Sequence, residues 1–296
     1  MIRVLLVLAG LIAAGAAVLY LWPAPAPARH AYMEDAPRVC AETIAHGGGL
    51  GHAPPNTLLA LERASTMGAD VLEVDVQQTR DGVLILRHDD TLDRTTDQTG
   101  LIADYDWADI ETADAGAGWV IGETDYTGRG VTIPRLDEAL AAFPEARWIA
   151  EIKNDTPEAA EAMCRVITDA GAETRVLVGS FHDDAMARFR AACPGVATSA
   201  PSDEVRNFVI AARLGLSRWV DTPAVAFQLP VEAAGLDLTH PRVLDAAMAR
   251  NIRVQYWTIN DQAEMEHLLT LGADGIITDY VDRANAARDA VCAGGA

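Results

Sequence analysis

The chain carries Val71-Leu72-Glu73-Val74-Asp75-Val76, an apolar run that is interrupted by two acids two residues apart. In a β-strand, residues i and i+2 face the same side, so the side chains of Glu73 and Asp75 are expected to project together. Carboxylates are rarely buried without a partner, because burying an isolated charge is costly. The stretch therefore predicts a buried strand whose two acids either hold a cation together or form a solvated acidic face.

On both sides of this strand, short apolar runs alternate with segments of helical periodicity, from about residue 43 to residue 290. Such alternation is typical of a parallel sheet. About eight strand-to-helix steps in about 250 residues predict an α/β fold of the closed (β/α)8 TIM-barrel type. A doubly wound open sheet is the alternative, although no glycine-rich fingerprint indicates a nucleotide site.

The stretch from about residue 89 to residue 133 interrupts this alternation. It is rich in Asp, Thr and Gly, has no clear period, and follows a strand that a hairpin turn at Asp81-Gly82 introduces. A stretch of this length without regular structure is expected to be a functional insertion. The sequence therefore predicts one barrel domain over residues 41–292, with an insertion after the second strand.

The first residues form a separate segment. Val4 to Trp22 contains no charged residue and approaches the ~20 residues that cross the hydrocarbon of a bilayer. We expect residues 1–23 to form an N-terminal transmembrane or signal-anchor helix, followed by an Ala/Pro-rich linker over residues 24–40. Arg3 before the span predicts that the barrel lies outside the cytoplasm, in the periplasm or the extracellular space. A cleaved signal peptide, after which the domain is secreted, is the alternative.

Composition limits the partners. The formal net charge of the 296 residues is −20, which repels nucleic acid and leaves no basic patch for it. We expect neither a nucleic-acid partner nor a protein partner. The same charge repels a phosphate substrate unless the site supplies positive charge of its own.

The four cysteines leave two interpretations open. They are Cys40, Cys164, Cys193 and Cys292, and their spacing matches no zinc motif. In an exported domain an even number permits two disulfides. Four small buried apolar side chains are the equally good alternative.

Potentially reactive side chains occur where the strands are predicted to end, and barrels place their chemistry at the carboxyl ends of strands. They are His46, Glu73, Asp75, His88, Glu151, Lys153, Ser180, Ser199 and Trp257. Singly, each is commonly a surface, packing or ion-pair residue. Together, two His, three acids and a Lys suit metal-assisted acid–base catalysis. Carboxylate ligands favour Mg²⁺ or Ca²⁺ and leave both His as base and acid, a set that predicts phosphodiester cleavage.

A series of short motifs runs in order through residues 43–283. It comprises Ile44-Ala45-His46-Gly47-Gly48, Pro54-Pro55-Asn56-Thr57, Leu72-Glu73-Val74-Asp75-Val76, Thr79-Arg80-Asp81-Gly82, His88-Asp89, Arg94-Thr95-Thr96, Glu151-Ile152-Lys153, Ser180-Phe181, Trp257-Thr258-Ile259-Asn260 and Asp274-Gly275-Ile276-Ile277-Thr278-Asp279. In order and content the series resembles the glycerophosphodiester phosphodiesterase family, a phosphatidylinositol-phosphodiesterase-like TIM barrel with an insertion after the second strand.

The resemblance implies a role for each site residue. The metal ligands are Glu73, Asp75 and Glu151, the catalytic residues are His46 and His88, and Lys153 is the cation on the phosphate side. We expect Arg87, Ser180 and Trp257 to bind the substrate with Lys153. His46 is then the base and His88 the acid. The implied reaction hydrolyses a glycerophosphodiester to glycerol 3-phosphate and an alcohol, with first attack by the neighbouring glycerol hydroxyl to give a cyclic phosphate.

The chain departs from the family pattern at two positions. Gly47 stands where the family usually has Arg, a bidentate phosphate donor that glycine cannot replace, and Pro55 stands where it usually has Glu. Two other functions therefore stay open. One is a lysophospholipase D-like reaction on lysophospholipids. The predicted anchor and apolar residues of the insertion, such as Trp107 and Trp119, favour it. The other is a non-catalytic binding barrel.

Overall fold

The structure is a computed structural model, and it describes Gly10, Gly15 and residues 29–34 and 40–293. Its strands are β1 (Glu42–Ala45), β2 (Val71–Gln78), β3 (Leu84–Leu86), β4 (Val120–Ile121), β5 (Thr124–Asp125), β6 (Arg147–Ile152), β7 (Val176–Gly179), β8 (Ala197–Thr198), β9 (Ala226–Leu229), β10 (Glu232–Ala233), β11 (Leu236–Asp237), β12 (Arg253–Tyr256) and β13 (Gly275–Thr278).

Eight of these strands form a parallel barrel. Their order is β8–β7–β6–β2–β1–β13–β12–β9. A parallel bridge between Ser199 and Ala226 joins the two ends of this order and completes the ring. The predicted (β/α)8 TIM barrel is therefore confirmed, and the open doubly wound sheet is excluded.

Helices follow the barrel strands in the predicted alternation. They are α1 (Ala31–Glu34), α2 (Leu58–Thr66), α3 (Trp107–Ile110), α4 (Leu136–Ala142), α5 (Pro157–Asp169), α6 (Asp183–Ala192), α7 (Ser202–Arg213), α8 (Pro241–Ala249), α9 (Gln262–Thr270) and α10 (Val281–Ala293). Local sequence explains where they begin. The Thr57 hydroxyl accepts the N–H of Ala60 to cap α2, and Pro157 occupies the first turn of α5, where its missing N–H costs nothing.

The second strand is buried along almost its whole length. Glu73 and Asp75 are 5% and 2% exposed, so the alternative of a solvated acidic face is excluded. Strand β3 returns antiparallel beside β2, with Val76 opposite Leu86. Gly82 has φ +86°, the left-handed conformation that a tight hairpin turn requires and that glycine adopts without strain.

The insertion after this hairpin has an apolar core of its own. Its buried side chains include Leu92, Ile102, Ile110 and Val131, which cluster against Ile85 of β3. Helix α3 and the β4–β5 hairpin provide regular structure inside it. The predicted insertion is therefore a folded subdomain that packs beside β3.

The segment just before the barrel differs from our expectation of a linker over residues 24–40. Tyr32 and Met33 of α1 are buried among side chains from the amino-terminal ends of the strands, including Ile44 and Val71. The Nη2 of the Arg147 guanidinium donates to the carbonyl of Tyr32 at 3.1 Å, and the Cζ of the same group lies 4.3 Å from the centre of the Tyr32 ring. Residues 29–34 therefore close the amino-terminal end of the barrel.

The predicted membrane anchor over residues 1–23 lies outside the described residues, apart from Gly10 and Gly15. Among the residues that the structure describes, no helix combines the length and the apolar character needed to cross a bilayer.

The four cysteines form two disulfides. Cys40 is bonded to Cys292 across 252 residues of chain, with their Cα atoms 6.2 Å apart. Cys164 is bonded to Cys193 across 29 residues. Of the two interpretations left open by the sequence, the structure therefore has the disulfides and not four free thiols. The Cys40–Cys292 bond, which has the larger sequence separation, joins the segment before β1 to α10, the last helix of the barrel.

We expect the two disulfides to contribute unequally to stability. A crosslink restricts the unfolded chain more when it closes a longer loop, and the separations of 252 and 29 residues correspond to a difference of about 2 kcal/mol. The double variant Cys40→Ser/Cys292→Ser should therefore lose about 2 kcal/mol more free energy of unfolding than Cys164→Ser/Cys193→Ser, as measured by urea denaturation. Equal losses would contradict this account.

Candidate active site

A cavity of about 640 Å³ opens at the carboxyl ends of the barrel strands. Eight of the nine predicted site residues line it: His46, Glu73, Asp75, His88, Glu151, Lys153, Ser180 and Trp257. These eight side chains therefore share one cavity, as their expected positions at the ends of the strands predict. The exception is Arg87, whose side chain is 2% exposed and lies outside the lining.

Three carboxylates are brought together by the pairing of two strands. Strands β2 and β6 run parallel, with Asp75 directly opposite Glu151. Because residues i and i+2 of a strand share a face, Glu73 projects beside Asp75. One oxygen from each of the three carboxylates lies within 4.8 Å of the others.

Lys153 offsets part of this negative charge. Its ammonium lies 2.8 Å from a carboxylate oxygen of Asp75 and 2.9 Å from one of Glu151. Burial opposes the ionisation of Asp75, but Lys153, with help from His88 and Asn56, outweighs burial and lowers the pKa of that carboxyl. Burial dominates at Glu151, where the pKa is raised. The central acid of the cluster is therefore an anion at neutral pH.

Glu73 is the acid that Lys153 does not reach. It accepts the backbone N–H of Gly47 at 2.7 Å, and its side chain is buried within reach of the charges of Asp75 and His46. Burial and the neighbouring charge of Asp75 raise the pKa of Glu73 to about 8, against the opposing effect of His46. The cationic group that acts on Glu73 is therefore His46 and not Lys153.

The donor set fits a hard divalent cation. Three carboxylates whose oxygens converge are the ligands that Mg²⁺ and Ca²⁺ prefer, whereas Zn²⁺ favours nitrogen and sulfur. The raised pKa of Glu73 indicates a buried carboxylate that a cation is well placed to stabilise. Glu73, Asp75 and Glu151 are thus the residues that could hold the ion.

His46 is oriented by a carboxylate from the last strand of the barrel. Its Nδ1 lies 2.7 Å from Asp279, which in turn accepts the side-chain amide of Asn260 at 2.7 Å. Burial lowers the pKa of His46, but Asp279 and the charge of Glu73 outweigh burial and raise it to about 9. With Nδ1 engaged, Nε2 is the ring nitrogen left for a substrate.

His88 has a matching arrangement on the other side of the acids. Its Nδ1 lies 2.8 Å from Asp89, and Arg94 donates two hydrogen bonds to the same carboxylate, at 2.6 and 2.9 Å. Arg94 is the main reason why the pKa of Asp89 is held well below its usual range. The His88 side chain is 52% exposed, against 25% for His46, so His88 lies nearer the solvent.

Asn56 fixes the position of Asp75. Its side-chain amide donates to Asp75 at 2.8 Å, and its side-chain oxygen accepts the backbone N–H of Asp75 at 2.9 Å. Asn56 has φ +57°, a left-handed conformation that asparagine tolerates better than most residues. A strained backbone position is thus retained where its side chain holds a site carboxylate.

Four of these positioning residues were missed by sequence reasoning. Asn56, Asp89, Asn260 and Asp279 all lie within the quoted motifs, yet none received a role. The signal available for Asp89 was its place directly after His88. Asp279 lies 233 residues from His46 in sequence, so only closure of the barrel brings the two together.

Of the predicted substrate-binding residues, Ser180 is hydrogen-bonded to the backbone and Arg87 is buried outside the lining of the cavity. The Ser180 hydroxyl donates to the carbonyl of Ile152 at 2.8 Å and accepts the N–H of His182, so it supports the turn after β7. The Arg87 guanidinium is buried, and two of its nitrogens, Nε and Nη2, have no hydrogen-bond partner among the described residues. Burial lowers the pKa of Arg87 to about 10. Direct contact of Arg87 with a substrate therefore requires a rearrangement of this structure.

The two departures from the family pattern lie side by side. Gly47 has φ +52°, and a Cβ added there would lie 2.7 Å from Leu50 Cδ1 and 3.4 Å from Pro55 Cβ. The carbonyl of Gly47 also accepts the N–H of Asn56 at 2.8 Å. Gly47 and Pro55 therefore lie against each other in one tight turn, and the Leu50 side chain occupies the space that a side chain at position 47 would need.

The sequence profile of the glycerophosphoryl diester phosphodiesterase family matches residues 46–283. A glycerophosphodiester phosphodiesterase of Bacillus altitudinis is 33% identical over 81% of this chain and 95% of that protein. A probable glycerophosphodiester phosphodiesterase of Mycobacterium tuberculosis is 31% identical over 89% of this chain and 98% of that protein.

Solved structures agree with these sequence matches. An Oleispira antarctica phosphodiesterase in complex with the product sn-glycerol-3-phosphate has a TM-score of 0.69 and 27% identity, and the match covers 88% of this chain and all of that one. A glycerophosphodiester phosphodiesterase from Agrobacterium tumefaciens has a TM-score of 0.69 and 25% identity, over 84% of this chain and 99% of that one. This chain therefore belongs to the glycerophosphoryl diester phosphodiesterase family.

Proposed function

We propose that this protein hydrolyses glycerophosphodiesters to glycerol 3-phosphate and an alcohol, with a divalent cation and with His46 and His88 as the acid–base pair. The observation that carries the proposal is the arrangement of the two histidines. Each is held at Nδ1 by a carboxylate, and the two flank three converging acids in one cavity. The relative from Oleispira antarctica, with its product sn-glycerol-3-phosphate, supports the same reaction.

The chemistry follows from what each residue is placed to do. His46 takes the proton from the glycerol hydroxyl next to the phosphodiester, and that oxygen forms a bond to phosphorus. The bond from phosphorus to the alcohol breaks, and His88 gives the departing oxygen a proton. Water then opens the cyclic phosphate, so that one water is consumed and glycerol 3-phosphate and the alcohol are released.

The order of the two histidines rests on their exposure. The half-exposed His88 lies nearer solvent, where an alcohol can depart, and the deeper His46 lies against the acids. Against burial, Asp279 and the charges of Glu73 and Asp75 raise the pKa of His46 to about 9, so His46 is protonated at neutral pH when no cation is bound. The role of base therefore requires that a cation compensate Glu73 and Asp75.

Glu73, Asp75 and Glu151 are the proposed ligands of the cation. When bound, a divalent cation would compensate the carboxylates and the phosphate and so supply the positive charge that a chain of net charge −20 otherwise lacks. Lys153 adds a second positive charge beside the same acids. The ion is Mg²⁺ or Ca²⁺, since both take oxygen ligands.

We further propose that the domain acts outside the cytoplasm, tethered by residues 1–23 or secreted after their removal. Two disulfides support an oxidising compartment, because cytosolic thiols are kept reduced. The alternative of a non-catalytic binding barrel was based on the replacement of Arg by Gly47. It is less favoured because both histidines and all three acids still line one cavity.

Removal of a ligand should abolish turnover and metal binding together. We expect Glu73→Gln and Asp75→Asn to lose hydrolysis of glycerophosphocholine and also calorimetric binding of Mg²⁺ or Ca²⁺, because each change removes a charged oxygen donor. EDTA should inactivate the native protein and added cation should restore it. Glu123→Gln, an exposed acid of the insertion, is the matched control and should change neither measurement. Full activity in chelator would rule out the cation.

Cation binding should release a proton near neutral pH. The pKa of Glu73 is raised to about 8, so this carboxyl is protonated below that pH and must ionise before it can bind an ion. His46 also gives up its proton more readily once the acids are compensated, because their charge helps to raise its pKa to about 9. Calorimetry in buffers of different ionisation enthalpy should therefore give release of at least about one proton at about pH 7, and the release should fall as the pH rises past about 9. Release that does not change with pH would contradict the raised pKa.

The roles of the two histidines can be separated by the leaving group. His88→Ala should lose roughly 10²–10⁴-fold in rate on glycerophosphocholine but much less on an activated aryl ester, whose alcohol departs without a proton donor. His46→Ala should lose similar factors on both substrates, since the attacking hydroxyl is the same. If the loss depended on the leaving group in His46→Ala and not in His88→Ala, the two assignments would be exchanged. If both variants lost equal factors on both substrates, neither histidine would be the general acid.

A further inference from the structure

The cavity has two chemically different halves. The acids and histidines come from β1, β2, β6 and the hairpin strand β3, which lie on one side of the barrel. The opposite side, formed by β7, β8, β9 and β12 with α7, is lined mainly by apolar side chains. They include Phe181, Val205, Val209, Ile210, Leu236 and Trp257.

Part of this apolar surface is exposed to solvent. Phe181 is 50% exposed and Ile210 is 45% exposed, and a contiguous exposed apolar surface commonly marks a binding site. Phe181 packs edge to face against Trp257, with ring centres 5.5 Å apart, so the wall is held in place by its own contacts. The apolar half is thus an ordered surface that is continuous with the catalytic cluster.

We propose that this half binds a hydrocarbon chain and that the substrate is a glycerophosphodiester with a single acyl chain, a lysophospholipid. The proposal rests on the proposed function, because the phosphodiester is cleaved by the same residues. Deacylated glycerophosphodiesters are polar throughout and give an apolar wall nothing to bury. A single chain removes that wall from water and gains free energy with each methylene.

The position of the chain follows from the two histidines. His88 extends from the hairpin side of β2 and is half exposed, so the alcohol departs outward there. The glycerol then lies on the inner side of the phosphate, where the apolar half begins. Attack by a glycerol hydroxyl requires that this hydroxyl be free, so the glycerol carries one chain and not two.

The source of the apolar surface differs from our expectation for a lipid substrate. That expectation rested on the predicted anchor and on apolar residues of the insertion such as Trp107 and Trp119. Neither tryptophan lines the cavity. Helix α7 and the β10–β11 hairpin, on the opposite side of the barrel, supply the wall instead.

The test compares substrates that differ only in the chain. The full-length protein, with Mg²⁺ or Ca²⁺, is given glycerophosphocholine and then lysophosphatidylcholines of increasing chain length, each below its critical micelle concentration. We expect kcat/KM to rise by about threefold for each added methylene and to reach a plateau once the cavity is filled. Product analysis should find acylated glycerol 3-phosphate and choline.

Variants assign the effect to the wall. Ile210→Asp places a charge beside the chain and should reduce kcat/KM for the longest substrate by at least about tenfold, with a far smaller change for glycerophosphocholine. Ala233→Trp fills the cavity without adding charge and should shift the plateau to shorter chains. Val120→Asp, an exposed residue outside the cavity, is the control and should leave the chain-length dependence unchanged.

Different outcomes test the lysophospholipid substrate and the proposed phosphodiesterase function. Hydrolysis of glycerophosphocholine with no gain from the chain, or with a gain that Ile210→Asp leaves intact, would overturn the lipid substrate and leave the phosphodiesterase standing. The lipid substrate would also be overturned if kcat/KM rose only for substrates that carry the hydrocarbon chain on the leaving alcohol and not on the glycerol. Failure to hydrolyse any glycerophosphodiester would instead remove the proposed function.

Discussion

The active site depends on one constraint, the parallel register that sets Asp75 of β2 opposite Glu151 of β6. A shift of one residue would turn Glu73 and Asp75 to the other face of the strand. The register concentrates three acids in a place with little water, which is costly. Lys153 and the amides of Asn56 and Gly47 offset part of that cost. Asp279 and Asp89 in turn hold the two histidines beside these carboxylates.

Local periodicity was enough to predict what a strand or helix specifies by itself. The i, i+2 spacing of Glu73 and Asp75 and the alternation of strands and helices fall in this class, and so does the insertion. The partner of His46 does not, because Asp279 reaches it only when the last strand pairs with the first. The same is true of the Cys40–Cys292 disulfide and of Tyr32, whose burial depends on the finished end of the barrel.

The two sides of the barrel differ in how much of their sequence belongs to the family motifs. The strands that carry the acids and histidines coincide with the family motifs, whereas helix α7 and the β10–β11 hairpin lie between motifs. Residues such as Val205 and Leu236 line the cavity without contacting the acids. Selectivity for the substrate can thus change through one half of the cavity while the other half keeps the same chemistry, a division that loop-built TIM-barrel sites commonly allow.

The closure of the barrel by Tyr32 and Met33 has a consequence for access. The chain enters the barrel at the amino-terminal ends of the strands, and the cavity opens at their carboxyl ends, so entry and mouth face opposite ways. Residues 29–34 and the mouth of the cavity therefore lie on opposite faces of the barrel. Substrate and product can pass through the mouth without displacing the segment that closes the other end.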